Sequence, residues 1–75
     1  MNKEKILKEL EDILEEPCSE DAVLKNFKDW DSIAKVSIAS YFDETFGVKI
    51  NVKDFKKKIL TVQDLIALAP DKENE

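Results

Sequence analysis

Between Asn2 and Glu16 the apolar residues Ile6, Leu7, Leu10, Ile13 and Leu14 recur three and four positions apart, with Lys3, Glu4, Lys8, Glu11, Asp12 and Glu15 between them. This spacing puts the apolar side chains on one face of a helix. Asn2 suits its cap, and Pro17 ends it, because the residue before a proline is steered away from helical angles. From Pro17 to Asp31 no period is sustained, yet Val23, Leu24, Phe27 and Trp30 are scattered among polar residues. The stretch reads as a long connection pinned onto a core, with one helical turn possible around Ser19 and Asp21 to Leu24.

A second period runs from Ser32 to Phe46, where Ile33, Val36, Ala39, Phe42 and Phe46 form an apolar stripe. Gly47 is its natural stop, since it accepts a left-handed conformation without penalty. Val48, Lys49 and Ile50 read as extended. Asn51 then caps a short helix over 52–58, with Val52, Phe55 and Ile59 facing inward. Thr61-Val62-Gln63-Asp64 has the form of a capping box ahead of Leu65, Ile66, Leu68 and Ala69, and so opens a last helix that ends before Pro70. The pattern predicts an all-α fold: a small antiparallel bundle of three principal helices plus one short helix, four helices in all, with a long loop between the first and second. Residues 1–69 form one domain, and 70–75 are a frayed charged tail.

At 75 residues the chain holds one modest core and no large enclosed active site. Removal of one core aromatic, Phe46 for instance, is therefore expected to cost about 3–5 kcal/mol. The net charge of −5 and the absence of arginine argue against a nucleic-acid partner and favour partners with basic docking patches. One cysteine, Cys18, and no histidine leave no intramolecular disulfide and no nucleophile–base pair, so an enzyme is not expected. No apolar run is long enough to span a bilayer and the first residues lack a signal-peptide core; the expectation is a cytoplasmic protein. A calcium loop begun at Asp29 puts Ala34 where glycine is needed and Ser40 where the bidentate glutamate belongs, so no metal site is assigned. Lys56-Lys57-Lys58 reads as a solvated face.

The position with chemical promise is Ser32. A helix begun there sets its hydroxyl beside unsatisfied backbone N–H groups that favour a phosphate, with Asp31 as cap. By itself this is also what an ordinary helix start looks like.

Asp31-Ser32-Ile33, then Val36, then Phe42-Asp43-Glu44-Thr45-Phe46-Gly47-Val48, then 58–66, Lys-Ile-Leu-Thr-Val-Gln-Asp-Leu-Ile, together resemble the acyl carrier protein family over essentially the whole chain. The resemblance implies that Ser32 bears a covalent 4′-phosphopantetheine, that Asp31 opens the helix and is read by the phosphopantetheinyl transferase, and that acyl- or aminoacyl-loading and transferring enzymes are the further partners. It implies a monomeric carrier whose partners meet Trp30, Ile33, Lys35, Val36, Ser37, Ser40 and Glu44. Relative to fatty-acid-synthesis carriers, Ala34 stands in place of an aspartate and Ser37 in place of a glutamate, while Lys35 adds a positive charge. A less acidic partner face follows, and with it a carrier dedicated to a specialised pathway, though fatty-acid or lipid synthesis and a D-alanyl or peptidyl cargo stay open. An unmodified helical adaptor is the reading from another functional class. Two roles stay open for Trp30, a staple over the helix start or an exposed partner contact. Phe42, Phe46 and Phe55 are expected to fill the core rather than leave a chain tunnel, which favours a short cargo.

Overall fold

The computed structural model describes residues 2–69. Three α-helices and two 3₁₀ turns follow one another: α1 (Asn2–Leu14), a first 3₁₀ turn (Leu24–Asn26), α2 (Ser32–Phe46), a second 3₁₀ turn (Val52–Lys56) and α3 (Val62–Leu68). α1 packs against both α2 and α3, and α2 against the second 3₁₀ turn. The expected small helical bundle is thus present, but its short helix is a single 3₁₀ turn. Among the described residues there are three α-helices, not four.

Each helix buries one narrow stripe. Ile6, Leu10 and Leu14 of α1 lie four apart and are fully buried, flanked by half-buried Leu7 and Ile13. α2 contributes Ala34, Ile38 and Phe42 at the same spacing, and α3 contributes Val62 and Leu65. Leu24, Phe27, Phe55 and Ile59 close the core from the connections.

The α2 stripe differs from the expected one. Ile33 is 76% exposed and Val36 52% exposed, and Ala39 is only half-buried. Apolar residues occur on more than one side of α2, so periodicity alone does not choose which side turns inward; packing against α1 does. Val52, also expected inside, is exposed at the first position of the 3₁₀ turn, while Phe55, three residues on, is buried.

α1 stops earlier than expected, at Leu14. Glu15 takes a left-handed conformation (φ 57°) and donates its N–H to the Glu11 carbonyl at 2.7 Å. A non-glycine residue there costs about 1–2 kcal/mol, and the chain reverses two residues before Pro17. Asn2 opens α1; a capping role for its side chain lies outside the described residues, as does the tail at 70–75.

The long connection is held by side chains and backbone together. Glu11 Oε2 accepts the Cys18 N–H (3.2 Å) and Glu16 Oε2 accepts the Lys28 N–H (2.8 Å). Val23 and Thr61 form an antiparallel bridge, in which Leu24 N–H donates to the Leu60 carbonyl and Val62 N–H to the Ala22 carbonyl, both at 3.0 Å. The 3₁₀ turn begins at Leu24, the last residue of the segment expected to turn, and a separate turn is closed by the Ala22 N–H on the Ser19 carbonyl.

The capping devices form as the residues dictate. Asn51 accepts the Lys53 N–H, and Gly47 (φ 69°) ends α2 with its N–H on the Asp43 carbonyl. Thr61 and Asp64 complete a reciprocal capping box at α3.

Candidate functional site

Asp31 sits in extended conformation immediately before α2, and its Oδ1 accepts the Ala34 N–H at 2.9 Å. Its carbonyl takes the Lys35 N–H at 3.1 Å. The second of these is the first bond of the helix itself; of the four donors that a helix start leaves over, Ala34 N–H goes to Asp31 Oδ1 and Asp31 N–H to the Asp29 carbonyl (2.9 Å). The N–H groups of Ser32 and Ile33 find no protein acceptor among the described residues.

Ser32 is the first residue of α2 and is exposed. Its hydroxyl therefore stands in solvent beside two open N–H donors at the positive end of a 15-residue helix. No carboxylate lies in the first turn of α2 beyond the Asp31 cap, and Lys35 is one turn away. A phosphodiester on this oxygen fits the local charge.

Ile33, Val36, Ser37, Ser40 and Glu44 are spaced at three, four, seven and eleven positions, so they share one side of α2. Ser37 is half-buried and the other four are exposed. The apolar pair Ile33 and Val36 thus stands in water one step from Ser32. The apolar pattern puts both residues in the core stripe and the resemblance puts them among partner contacts; their exposure removes the first role. Ala34 moves the other way. At 4% exposure it belongs to the core, so it is no part of the surface that a partner reads.

Trp30 is half-buried and meets Phe55 edge to face, the ring centroids 5.2 Å apart, while Lys35 Nζ lies 5.7 Å from the Trp30 ring centre. The indole is therefore packed rather than free, and it walls a cavity of about 650 Å³ that also touches Lys35 and Phe55. The expectation that aromatics fill the interior holds for Phe42, which is fully buried and packed edge-on against half-buried Phe46. It does not hold on the Trp30 side. Periodicity had no means of showing this cavity, because its walls come from four separate segments. Tyr41 is half-buried against Phe42 and Phe46, and burial pushes its hydroxyl up from the ordinary value, with Glu9 adding to the shift.

Burial also pushes the Cys18 thiol up to about 11, helped by the Glu11 and Glu16 carboxylates. A thiol held protonated is a poor nucleophile.

The longest of the three described helices thus opens on an exposed serine. The family model described as "Phosphopantetheine attachment site" matches residues 4–69, and the chain belongs to this family of carrier domains. It is a covalent bearer of 4′-phosphopantetheine and a non-catalytic partner of the phosphopantetheinyl transferase and of the enzymes that handle the carried group. No curated protein and no solved structure matches the chain significantly. Among the described residues no helix is long and apolar enough to cross a membrane.

Proposed function

We propose that Ser32 is the attachment residue and that residues 1–69 act as a discrete acyl or aminoacyl carrier. The observation that carries this reading is the exposed Ser32 hydroxyl, which follows the capping Asp31 at the first position of α2 inside the segment that matches the family. The transferase brings coenzyme A to this oxygen; a phosphodiester link to Ser32 Oγ forms as the pyrophosphate bond of coenzyme A breaks, the hydroxyl proton is given up and adenosine 3′,5′-bisphosphate leaves. When bound, the arm supplies a thiol that holds the cargo as a thioester. The protein's own part is to orient the attachment oxygen, offer the Ser32 and Ile33 N–H groups to the phosphodiester, and present α2 to partners.

The exposed side of α2 is the proposed partner surface: Ile33 and Val36 supply apolar contact, Ser37, Ser40 and Glu44 a polar margin, and Trp30 and Lys35 flank the serine. With Lys35 and Ser37 where fatty-acid carriers bear fewer cations and more acid, a specialised biosynthetic route is favoured over housekeeping fatty-acid or lipid synthesis, because charges at the edge of a contact steer encounter. The lone free thiol of Cys18 accords with a reducing cytoplasm, and a monomer suits a protein that presents one face to several enzymes in turn.

Intact-mass measurement after co-expression with a phosphopantetheinyl transferase tests the attachment. A gain of one phosphopantetheinyl group is expected, and it disappears in Ser32→Ala. No gain, or a gain that survives Ser32→Ala, rejects Ser32 as the anchor and leaves the unmodified adaptor.

A further inference from the structure

The cavity beside Trp30 has a composition that core packing does not require. Its walls are apolar, with Trp30, Phe55 and Leu60 the largest contributors, yet Lys25, Lys35 and Lys56 also line it, and no acidic side chain does. The three lysines come from three different elements: the first 3₁₀ turn, α2 and the second 3₁₀ turn. Among the described residues none of them is in a salt bridge, whereas Lys3 and Lys49 are paired with Glu20 and Asp43. An apolar hollow with unpaired cations around it matches one ligand chemistry, an aliphatic chain that carries a negative charge.

The location supplies the rest. Two of the cavity's walls, Trp30 and Lys35, lie two residues before and three after Ser32 in the chain. We propose that the carried group suited to this cavity is an aliphatic acyl chain ending in a carboxylate. The chain lies on Trp30, Phe55 and Leu60, and the carboxylate is held among Lys25, Lys35 and Lys56. This rests on Ser32 as the anchor of the arm. The cargo is then a dicarboxylic acid joined to the arm through one of its two ends. A volume of about 650 Å³ accommodates a longer chain than a fully packed interior does.

Trp30 is the only tryptophan, so its emission reports on this cavity alone. The first test titrates the unmodified protein at low salt with octanoate and, separately, with octanol. Octanoate is expected to shift the Trp30 emission at about tenfold lower concentration than octanol, the combined attraction of three solvent-rimmed cations. The preference is expected to vanish in K25Q/K35Q/K56Q and to weaken at high salt. Lys25 and Lys56 are exposed, so K25Q and K56Q measured singly give the same reading, in smaller steps, if the triple variant does not fold. Equal response to octanol, no response to either ligand, or a preference untouched by the lysine changes overturns the proposal.

The second test charges the arm with octanoyl or with suberyl, its carboxylate-ended counterpart, and follows thioester hydrolysis by mass. Slower loss of suberyl, abolished by K25Q/K35Q/K56Q, is expected; equal loss overturns the proposal. Failure to gain mass on loading defeats Ser32 as anchor instead, and the titration still decides whether the cavity prefers a carboxylate.

Discussion

Cys18 shows how a single residue is set by its surroundings. Half-buried between Glu11 and Glu16, its thiol is pushed up to about 11 by burial first and by the two carboxylates second. At a given pH near neutrality it carries on the order of a hundredfold less thiolate than a free cysteine. Iodoacetamide is expected to alkylate Cys18 correspondingly slowly in the folded protein, with ordinary reactivity restored in urea, as read by mass. The thiol of the attached arm is then the reactive one. Nothing in the local sequence Pro17-Cys18-Ser19 foretells this in full, since Glu16 is a near neighbour but Glu11 comes beside Cys18 through the turn at Glu15. Ser32 is the opposite case. Its place at the head of α2, after a capping aspartate, was legible because capping is a local matter of which short side chain reaches which N–H.

At the scale of elements, α3 depends on its cap. The Asp64 carboxylate accepts N–H bonds from Leu60 (2.9 Å) and Thr61 (3.1 Å), which hold it below the ordinary carboxylate value of 3.8. A lowered folded value means stability that is fully present above the unfolded value and is lost as the pH falls through the folded one. Urea midpoints are therefore expected to drop as the pH goes below about 4, and less steeply in Asp64→Asn. Thr61→Ala removes the other half of the box and is expected to cost about 1 kcal/mol. α2 carries a different kind of prediction. Ile33 and Val36 are exposed, so Ile33→Ser and Val36→Ser are expected to leave the thermal midpoint nearly unchanged while slowing modification by the transferase. A fall in stability comparable to a core deletion counts against the surface role.

For the whole molecule, one core carries the fold, and Phe42 is its largest fully buried side chain. Phe42→Ala is expected to cost about 3–5 kcal/mol, close to the roughly 3–5 kcal/mol that a core of this size supplies in total. Circular dichroism should find that variant largely unfolded at ordinary temperature. Phe46→Ala, at a half-buried site, is expected to be milder, which reverses the choice that the apolar stripe alone suggested. The cavity beside Trp30 belongs to this scale too, since the long connection, α2, the second 3₁₀ turn and the start of α3 must all be in place before it exists.

Helix starts and stops at Asp31, Gly47, Asn51 and Thr61 could be read from the chain, because each depends on hydrogen bonds or backbone angles within a few residues. The same holds for the inward face of α1, where the apolar residues keep to one side and the intervening ones are charged. Family membership was legible as well, since its motifs follow those local signals in order. The inward face of α2 was not, because both of its candidate stripes are apolar and only contact with α1 chooses between Ala34-Ile38-Phe42 and Ile33-Val36. Nor was the meeting of Lys25, Lys35 and Lys56 around one hollow, which needs three elements distant in sequence to be folded side by side.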